Sequence, residues 1–346
     1  MEQLVRATLP LGQMPPVVAE FRQITVGGAI AGCALESASH RFGQFCDTCL
    51  EIELEDGSCL TPSDERFHHI CGSFGLDGRI KEAKIQLIDA ASSVAIERST
   101  FSKIEDALER LASSDADFIE GVVLGPEEIA VMEGRLDPLP SRRSKGWWQP
   151  WFIQRLGSGR MALEEYLFRW DRGAFWMGAP LQGSWREIGR WLLGRPLQLK
   201  WPPPDPPFWF RLLFGGLTSA RALYWQLHQM TMEQIEGSFT VEDCYIPIEK
   251  AAEFIHWSKK ELSIYPIWLC PVKPTDRPQR YSPSKIETAL AIDVGLYGPA
   301  GDPRQIDRKV IEVGGRKMLY GSINLSKEEF EAIYGAGGAL YDKLQR

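Results

Sequence analysis

One order of elements occurs twice in this chain, and it limits the architectures open to it. The stretch from Ser92 to Arg98 reads as a strand. A helix follows, capped by Ser102, with Ile104, Ala107, Leu108, Leu111 and Ala112 on one face. Then "DFIEGVVL" (117–124) and "IAVMEGRL" (129–136) read as two strands. Much later "FTVEDCYI" (239–246) reads as a strand, and Pro247 opens a helix with Ile248, Ala251, Ala252 and Ile255 at helical spacing. "SIYPIWLC" (263–270) and "ALAIDVGLY" (289–297) complete the second copy as strands. Two such units bury their helical stripes most simply on a shared sheet, so the expected class is α+β, with one antiparallel sheet and helices on one face. The copies share no sequence identity, so the duplication is an expectation about structure. A Trp- and Pro-rich insertion separates them, from about residue 137 to 236.

The first ninety residues have a different texture. "TVGGAIAGCALESASHRFGQFCDTCLEIELEDGS" (25–58) is rich in glycine and ends in the period-two alternation of Leu50, Ile52 and Leu54, with a turn signal at Asp56-Gly57. A second strand is expected from Ala83 to Ile88, just after "CGSFGLDGRI" (71–80), where Gly72, Gly75 and Gly78 recur at three-residue spacing. Glycine supplies positive φ or close main-chain approach. Gly27, Gly28 and Gly32, followed by Ser37, Ser39, His40 and Gly43, therefore suggest backbone shaped around a ligand.

Composition narrows the classes. The chain has 346 residues, enough for about two domains. Its 44% hydrophobic and 25% charged residues are those of a globular protein. A net charge of −7 with no clustered basic surface argues against nucleic acid as a partner. Cys46, Cys49, His68, His69 and Cys71 offer zinc-type ligands, but one CxxC runs straight into apolar alternation, and seven cysteines is an odd count. Free thiols packed as small hydrophobes are the preferred reading, with no metal. No run of about 18 apolar residues is present, so no spanning segment is expected. Between Ser184 and Gln229, however, Trp185, Trp191, Trp201, Trp209 and Trp225 interleave with Arg186, Arg190, Arg195, Lys200, Arg211 and Arg221 around "WPPPDPPFWF". That composition suits peripheral contact with a membrane interface, or an aromatic lid over a ligand.

The segment "ITVGGAIAG…ESASHRFG…EIELEDGS", followed by "CGSFGLDGRIKEAKIQLIDA", resembles the second half of the FAD-binding domain in the vanillyl-alcohol oxidase and p-cresol methylhydroxylase superfamily. "DFIEGVVL", "WWQPWFI", "EDCYIPIEKA", "YPIWLCP", "AIDVGLYG" and "MLYGSINLSKEEF" resemble, in order, segments of the delta-24 sterol reductase family. The resemblance runs from about residue 14 nearly to the end. It implies residues 1–91 as the C-terminal half of an FAD domain and 92–346 as a substrate cap. It also implies FAD as cofactor, NADPH as electron donor, a sterol or similar flat apolar lipid as substrate, and a place on the cytoplasmic side, associated with the endoplasmic reticulum membrane.

Carried over position by position, Thr25, Val26, Gly27, Gly28 and Gly32 would line the diphosphate and ring region of FAD. Ser37, Ser39 and His40 would donate hydrogen bonds to it, Gly43 would close the turn, and Gly72, Ser73, Gly75, Gly78 and Ile80 would hold the other side of the nucleotide. A proton donor is needed near the alkene, and Tyr320 in "LYGS" and Asp243 in "EDCYIP" are the catalytic candidates. Tyr265 and Trp268 would line the sterol pocket.

Two departures from the family pattern matter. The 24 residues before "TVGG" are too few for the family's first FAD subdomain and its membrane anchor, and Ala19 stands where proline is common. A chain with half of the flavin contacts is expected to hold FAD weakly. The rival readings are a non-catalytic sterol-binding remnant and an FAD-linked alcohol oxidase.

Overall fold

The computed structural model describes residues 1–141, 159–171, 240–298, 302, 304–335 and 338–345. The fold is α+β, with antiparallel strand pairing throughout the described residues.

Short elements make up the N-terminal part. Helices α1 (Glu2–Thr8), α2 (Val26–Ala31), α3 (Ser39–Phe42) and α4 (Glu65–Ile70) accompany strands β1 (Gln13–Met14), β2 (Cys49–Leu54), β3 (Cys59–Leu60), β4 (Ile80–Ile85) and β5 (Ile88–Asp89). β3, β2 and β4 form a three-stranded sheet and β1 pairs with β5. The strand expected over 83–88 thus divides, its first half pairing with β2 and its end with β1.

The rest is organised by an eight-stranded sheet. Its strands are β6 (Ser93–Phe101), β7 (Phe118–Gly125), β8 (Glu128–Asp137), β9 (Gly159–Ala162), β10 (Thr240–Pro247), β11 (Ile267–Val272), β12 (Ala291–Gly298) and β13 (Arg316–Lys317), in the order β13-β10-β12-β11-β7-β8-β6-β9. Helix α5 (Ile104–Ser113) follows β6, and a second helix (Ile248–Trp257) follows β10. The two copies face each other across the antiparallel β11·β7 pair, where Trp268 lies opposite Val122. Outward from that seam each copy repeats the same sequence of positions, third strand then first: β8 and β6 on one side, β12 and β10 on the other. The duplicated order therefore folds as a pseudo-symmetric sheet.

Alternation along the strands separates the two faces. Ile119, Val123, Ile129, Val131, Cys244, Ile246, Ile267, Leu269, Ile292, Val294 and Leu296 pack with Leu108 and Leu111 of α5, with Phe254 and Ile255 of the second helix, and with Ile306 and Val310 of a third helix (Arg304–Glu312). All three helices lie on this face, as expected. The opposite, inner face packs Phe118, Val122, Met132, Tyr245, Trp268, Cys270 and Tyr297 against the N-terminal part.

Two local expectations are corrected. Lys103, not Ser102, is the residue preceding α5; it is extended, and no side chain caps that helix. The presumed insertion is not wholly separate either. Residues 159–162 pair with β6 as an edge strand, and Tyr166, Leu167, Phe168 and Trp170 are buried in the core beneath it. The Trp- and Arg-rich stretch from 184 to 229 lies outside the described residues.

Candidate active site on the inner face of the sheet

Register brings the site together. Asp243, Gly295, Trp268 and Val122 lie side by side across β10, β12, β11 and β7. The neighbouring row holds Tyr245, Asp293 and Cys270. On β12, Gly295 leaves room for the ring of Tyr297, two residues on, to fold back along the strand. A Cβ at Gly295 would collide with that ring and its hydroxyl. Tyr297 Oη thereby donates to Asp243 Oδ1 at 2.6 Å.

This dry layer contains an unusual amount of acid. Glu120 on β7 is 1% exposed, and both of its oxygens are engaged. Oε1 accepts from Arg169 Nε at 2.9 Å and from its terminal nitrogen at 2.7 Å, while Oε2 accepts from the indole N–H groups of Trp170 (3.0 Å) and Trp268 (2.9 Å). Arg169 also reaches Glu36 at 3.0 Å, and Ser37 Oγ donates to Glu36 at 2.7 Å. A guanidinium shared by two carboxylates ties two chain segments, those of Glu36 and Arg169, to the sheet. Burial still pushes the Glu36 carboxyl up, with Arg169 opposing it.

Asp243 and Asp293 have no such cation among the described residues. Burial raises the Asp243 pKa to about 7, opposed only by the Tyr297 hydrogen bond. Asp293 is fully buried, and neither of its carboxyl oxygens has a hydrogen-bond partner among the described residues. Burial, and then the neighbouring Asp243 carboxylate, push its pKa well up. Half-buried Glu20 is raised too, by burial and then by Glu36.

Of the residues expected to act on substrate, Asp243 and Trp268 are neighbours across Gly295 on this face. Tyr265 is not with them. It is half-buried against the helix-side core, with Ile267 and Leu269. Tyr320 follows β13 past the edge of the sheet and is 46% exposed. Asp293, Tyr297, Glu120, Glu36 and Arg169 escaped the sequence reading. The available signal was an acid set into an apolar strand, Phe118-Ile119-Glu120-Gly121-Val122 and Ile292-Asp293-Val294, in a sheet expected to be covered on at least one face.

The glycine-rich segment splits in two. Thr25 caps α2, accepting from Gly28 N at 2.9 Å; Thr25 and Gly28 are exposed, and Val26, Gly27, Gly32, Gly75, Gly78 and Ile80 are half-buried. The remainder is committed internally. Ser39 Oγ accepts from Glu36 N, His40 bridges the Ser37 and Ala116 carbonyls, and Ile119 N donates to Ser37 O at 2.8 Å, so this stretch is stitched to β7. Burial lowers the His40 pKa against the pull of those two carbonyls. Ser73 Oγ donates to Ile70 O. Gly43 and Gly72 answer to the protein itself. Both adopt positive φ, and a Cβ would strike the Asp47 side chain at Gly43 and the Tyr281 backbone, 2.8 Å away, at Gly72.

Cys33, Cys46, Cys49 and Cys71 are buried free thiols, with Cys46 Sγ 3.8 Å from Cys33 Sγ. His68 Nε2 is at the Pro62 carbonyl and His69 lies beside Glu65. Among the described residues no group of three or more Cys, His, Asp or Glu side chains is arranged to hold a metal ion, and no helix is long and apolar enough to cross a membrane.

No known family model matches the chain. Whole proteins do. It is 28% identical over 379 residues to the rat Delta(24)-sterol reductase, and 28% identical over 378 residues to the human one. Against the Delta(24)-sterol reductase of Arabidopsis thaliana the identity is 26% over 410 residues. Each alignment takes in 100% of this chain and 69% of the relative. Along its whole length, then, the chain is similar to Delta(24)-sterol reductases of animals and plants.

Proposed function

We propose that the chain is an oxidoreductase that reduces the side-chain double bond of a sterol with NADPH as electron donor and FAD as cofactor. The observation that carries this reading is the match, over all of this chain, to Delta(24)-sterol reductases of animals and plants. The inner face supplies chemistry suited to it. Reduction of an isolated alkene needs a hydride at one carbon and a proton at the other, in a site closed to water. Asp243, held by Tyr297 and titrating near neutrality, is a proton donor of suitable strength. Trp268, fixed by Glu120, offers a flat apolar wall beside it.

Part of the glycine-rich segment fits a flavin nucleotide. The start of α2 is exposed at Thr25 and Gly28, with Gly28 N capped by Thr25 Oγ1. The Gly75 loop is joined to the other end of α2 by Phe74 N to Ala31 O, and Lys343 Nζ, 2.7 Å from Phe74 O, brings a cation to that loop. Thr25, Val26, Gly27, Gly28, Gly32, Gly75, Gly78 and Ile80 would hold the cofactor there. Ser37, Ser39, His40, Gly43, Gly72 and Ser73 would act indirectly, by fixing the segment on β7 and α4. When bound, the flavin supplies hydride transfer; the protein orients the partners and excludes water.

The direct test is incubation of purified protein, supplemented with FAD, with NADPH and a Δ24-unsaturated sterol, followed by mass spectrometry of the sterol. The expected result is NADPH-dependent appearance of the dihydro product. Sterol binding without product would favour a non-catalytic binder, and oxygen consumption with simple alcohols would favour an alcohol oxidase.

A further inference from the structure

Residues two apart on a strand share a face, so Asp293, Gly295 and Tyr297 of β12 all belong to the inner face. Gly295 pairs with Asp243 on β10 and with Trp268 on β11. The ring of Tyr297 lies over it, and a Cβ at Gly295 would stand 2.8 Å from Cζ and Cε2 of that ring. Folded back in this way, Tyr297 Oη donates to Asp243 Oδ1 at 2.6 Å. Oδ2 takes no hydrogen bond from the described residues. Asp243 keeps 5% of its surface open, whereas Asp293 is wholly enclosed.

The other ionisable groups around Asp243 donate nothing to it. Asp293 on β12 and Glu20 from the N-terminal part are acids. Glu36 and Glu120 are engaged with Arg169. The Tyr245 hydroxyl meets Gln44 Nε2 at 3.0 Å, and the Cys270 thiol is directed to the Pro271 carbonyl at 3.9 Å. On the other face of β10, Glu242 turns to Lys317 and Cys244 packs in the helix-side core. Among the described residues, then, Tyr297 alone donates to the Asp243 carboxyl. In a protonated carboxyl, an oxygen held as acceptor serves as the carbonyl oxygen and the proton sits on the other. Burial favours that protonated form, while the Tyr297 bond favours the carboxylate left after the proton departs.

Resting on the sterol-reductase reading of this face, we infer that Tyr297 is a positioning residue: by donating to Oδ1 it confines the transferable proton of Asp243 to Oδ2, the oxygen that meets the substrate. In the step, the Asp243 Oδ2–H bond breaks as a C–H bond forms at one alkene carbon. The other carbon receives the hydride drawn from NADPH, and the π bond is consumed. Asp243 is left as a carboxylate, steadied by the Tyr297 hydroxyl, which keeps its own proton throughout. One proton from water restores the acid before the next turnover, so each alkene takes up one proton and one hydride. Gly295 is the structural requirement for this arrangement, since a side chain there would push the ring off Asp243.

The test has an arm that needs no activity. In full-length protein carrying carbon-13-labelled aspartate, the carboxyl resonance that disappears in Asp243→Asn reports Asp243. Its titration midpoint should move to higher pH in Tyr297→Phe, which removes the hydroxyl and leaves the ring over Gly295. Fluorotyrosine in place of Tyr297, a more acidic phenol and a stronger donor, should move the midpoint to lower pH, and it stands in if Tyr297→Phe does not fold. In turnover with a Δ24-unsaturated sterol and NADPH, Tyr297→Phe should lower kcat at pH 6 by about 10-fold with little change in KM, and the alkaline limb of its pH profile should follow the resonance. A midpoint and a limb that stay at their wild-type positions in both variants overturn the inference and leave the reductase reading intact. A fall in kcat with neither moved overturns it as well, and gives Tyr297 a packing role. If wild-type protein reduces no sterol, the reductase reading and the delivery to substrate fail together, while the resonance still decides whether Tyr297 governs the Asp243 proton.

Discussion

The two faces of the eight-stranded sheet treat buried acid in opposite ways. On the helix face, Glu133 meets Arg110 of α5 at 2.5 Å and Glu242 meets Lys317 at 2.9 Å, so each carboxylate has a cation. Lys317 also binds Asp307 of the third helix. On the inner face, Glu120 and Glu36 share Arg169, and Asp243 and Asp293 have no cation among the described residues. The helix face is thus assembled for stability, with aliphatic packing and neutralised charge. The inner face retains uncompensated polarity, which is costly for the fold and agrees with the proposal that chemistry takes place there.

Substitutions that break this contrast should differ in size and in pH dependence. The largest effect is expected from Arg169→Met, which leaves Glu36 and Glu120 buried without their cation. Loss of roughly 3–5 kcal/mol is expected, read from urea midpoints at pH 8 and shrinking as acid protonates the two carboxyls. Equal loss at pH 5 and pH 8 would show that Arg169 contributes packing alone.

Trp268→Phe is next. It removes one N–H donor from Glu120 while the Trp170 donor remains, and should cost about 1.5–3 kcal/mol. A loss near zero would mean that the indole N–H does not hold Glu120. On the helix face, Ile292→Val trims one buried methylene beside Asp293. About 0.5–1.5 kcal/mol is expected, the same at every pH.

The contrast can be sharpened by linkage as well. The Asp243 pKa rises in the fold from the ordinary 3.8 to about 7, so the folded state binds the extra proton. Its contribution to stability is fully present below about pH 4 and is lost as pH rises through about 7. Stability of Asp243→Asn, followed by urea unfolding from pH 4 to pH 8, should lack that part of the decline. A curve parallel to wild type would place the Asp243 pKa at its ordinary value.

Much of this organisation was legible in sequence, because alternation reports faces directly. Val122, Trp268 and Tyr245 alternate with Val123, Leu269 and Ile246, and the doubled strand-helix-strand-strand order was enough to foresee one sheet with its helices on one side. β9 was not legible. It has four residues and one buried apolar side chain, Met161, too short a run for any period. The partners of the site were hidden for another reason. Glu120 and Arg169 are 49 residues apart, and Asp243 and Tyr297 are 54 apart, so only the tertiary fold joins them. Asp243 and Trp268 were singled out from separate motifs, and their adjacency across Gly295 comes from pairing that no local pattern records. In the glycine-rich segment, sequence cannot distinguish a glycine facing a ligand from one pressed on its own chain, and Gly72 against Tyr281 is the second kind.

The central claim is that sterol reduction takes place on the inner face, with Asp243 as the acid. The most direct measurement is the rate of dihydro-sterol formation by wild type and by Asp243→Asn, under saturating FAD and NADPH, with folding matched by urea midpoint. An asparagine keeps the oxygen that accepts from Tyr297 but holds no proton to give. The account predicts product from wild type, declining as pH rises above about 7, and a loss of about 10²-fold or more in the variant. Equal rates in the two proteins would contradict it.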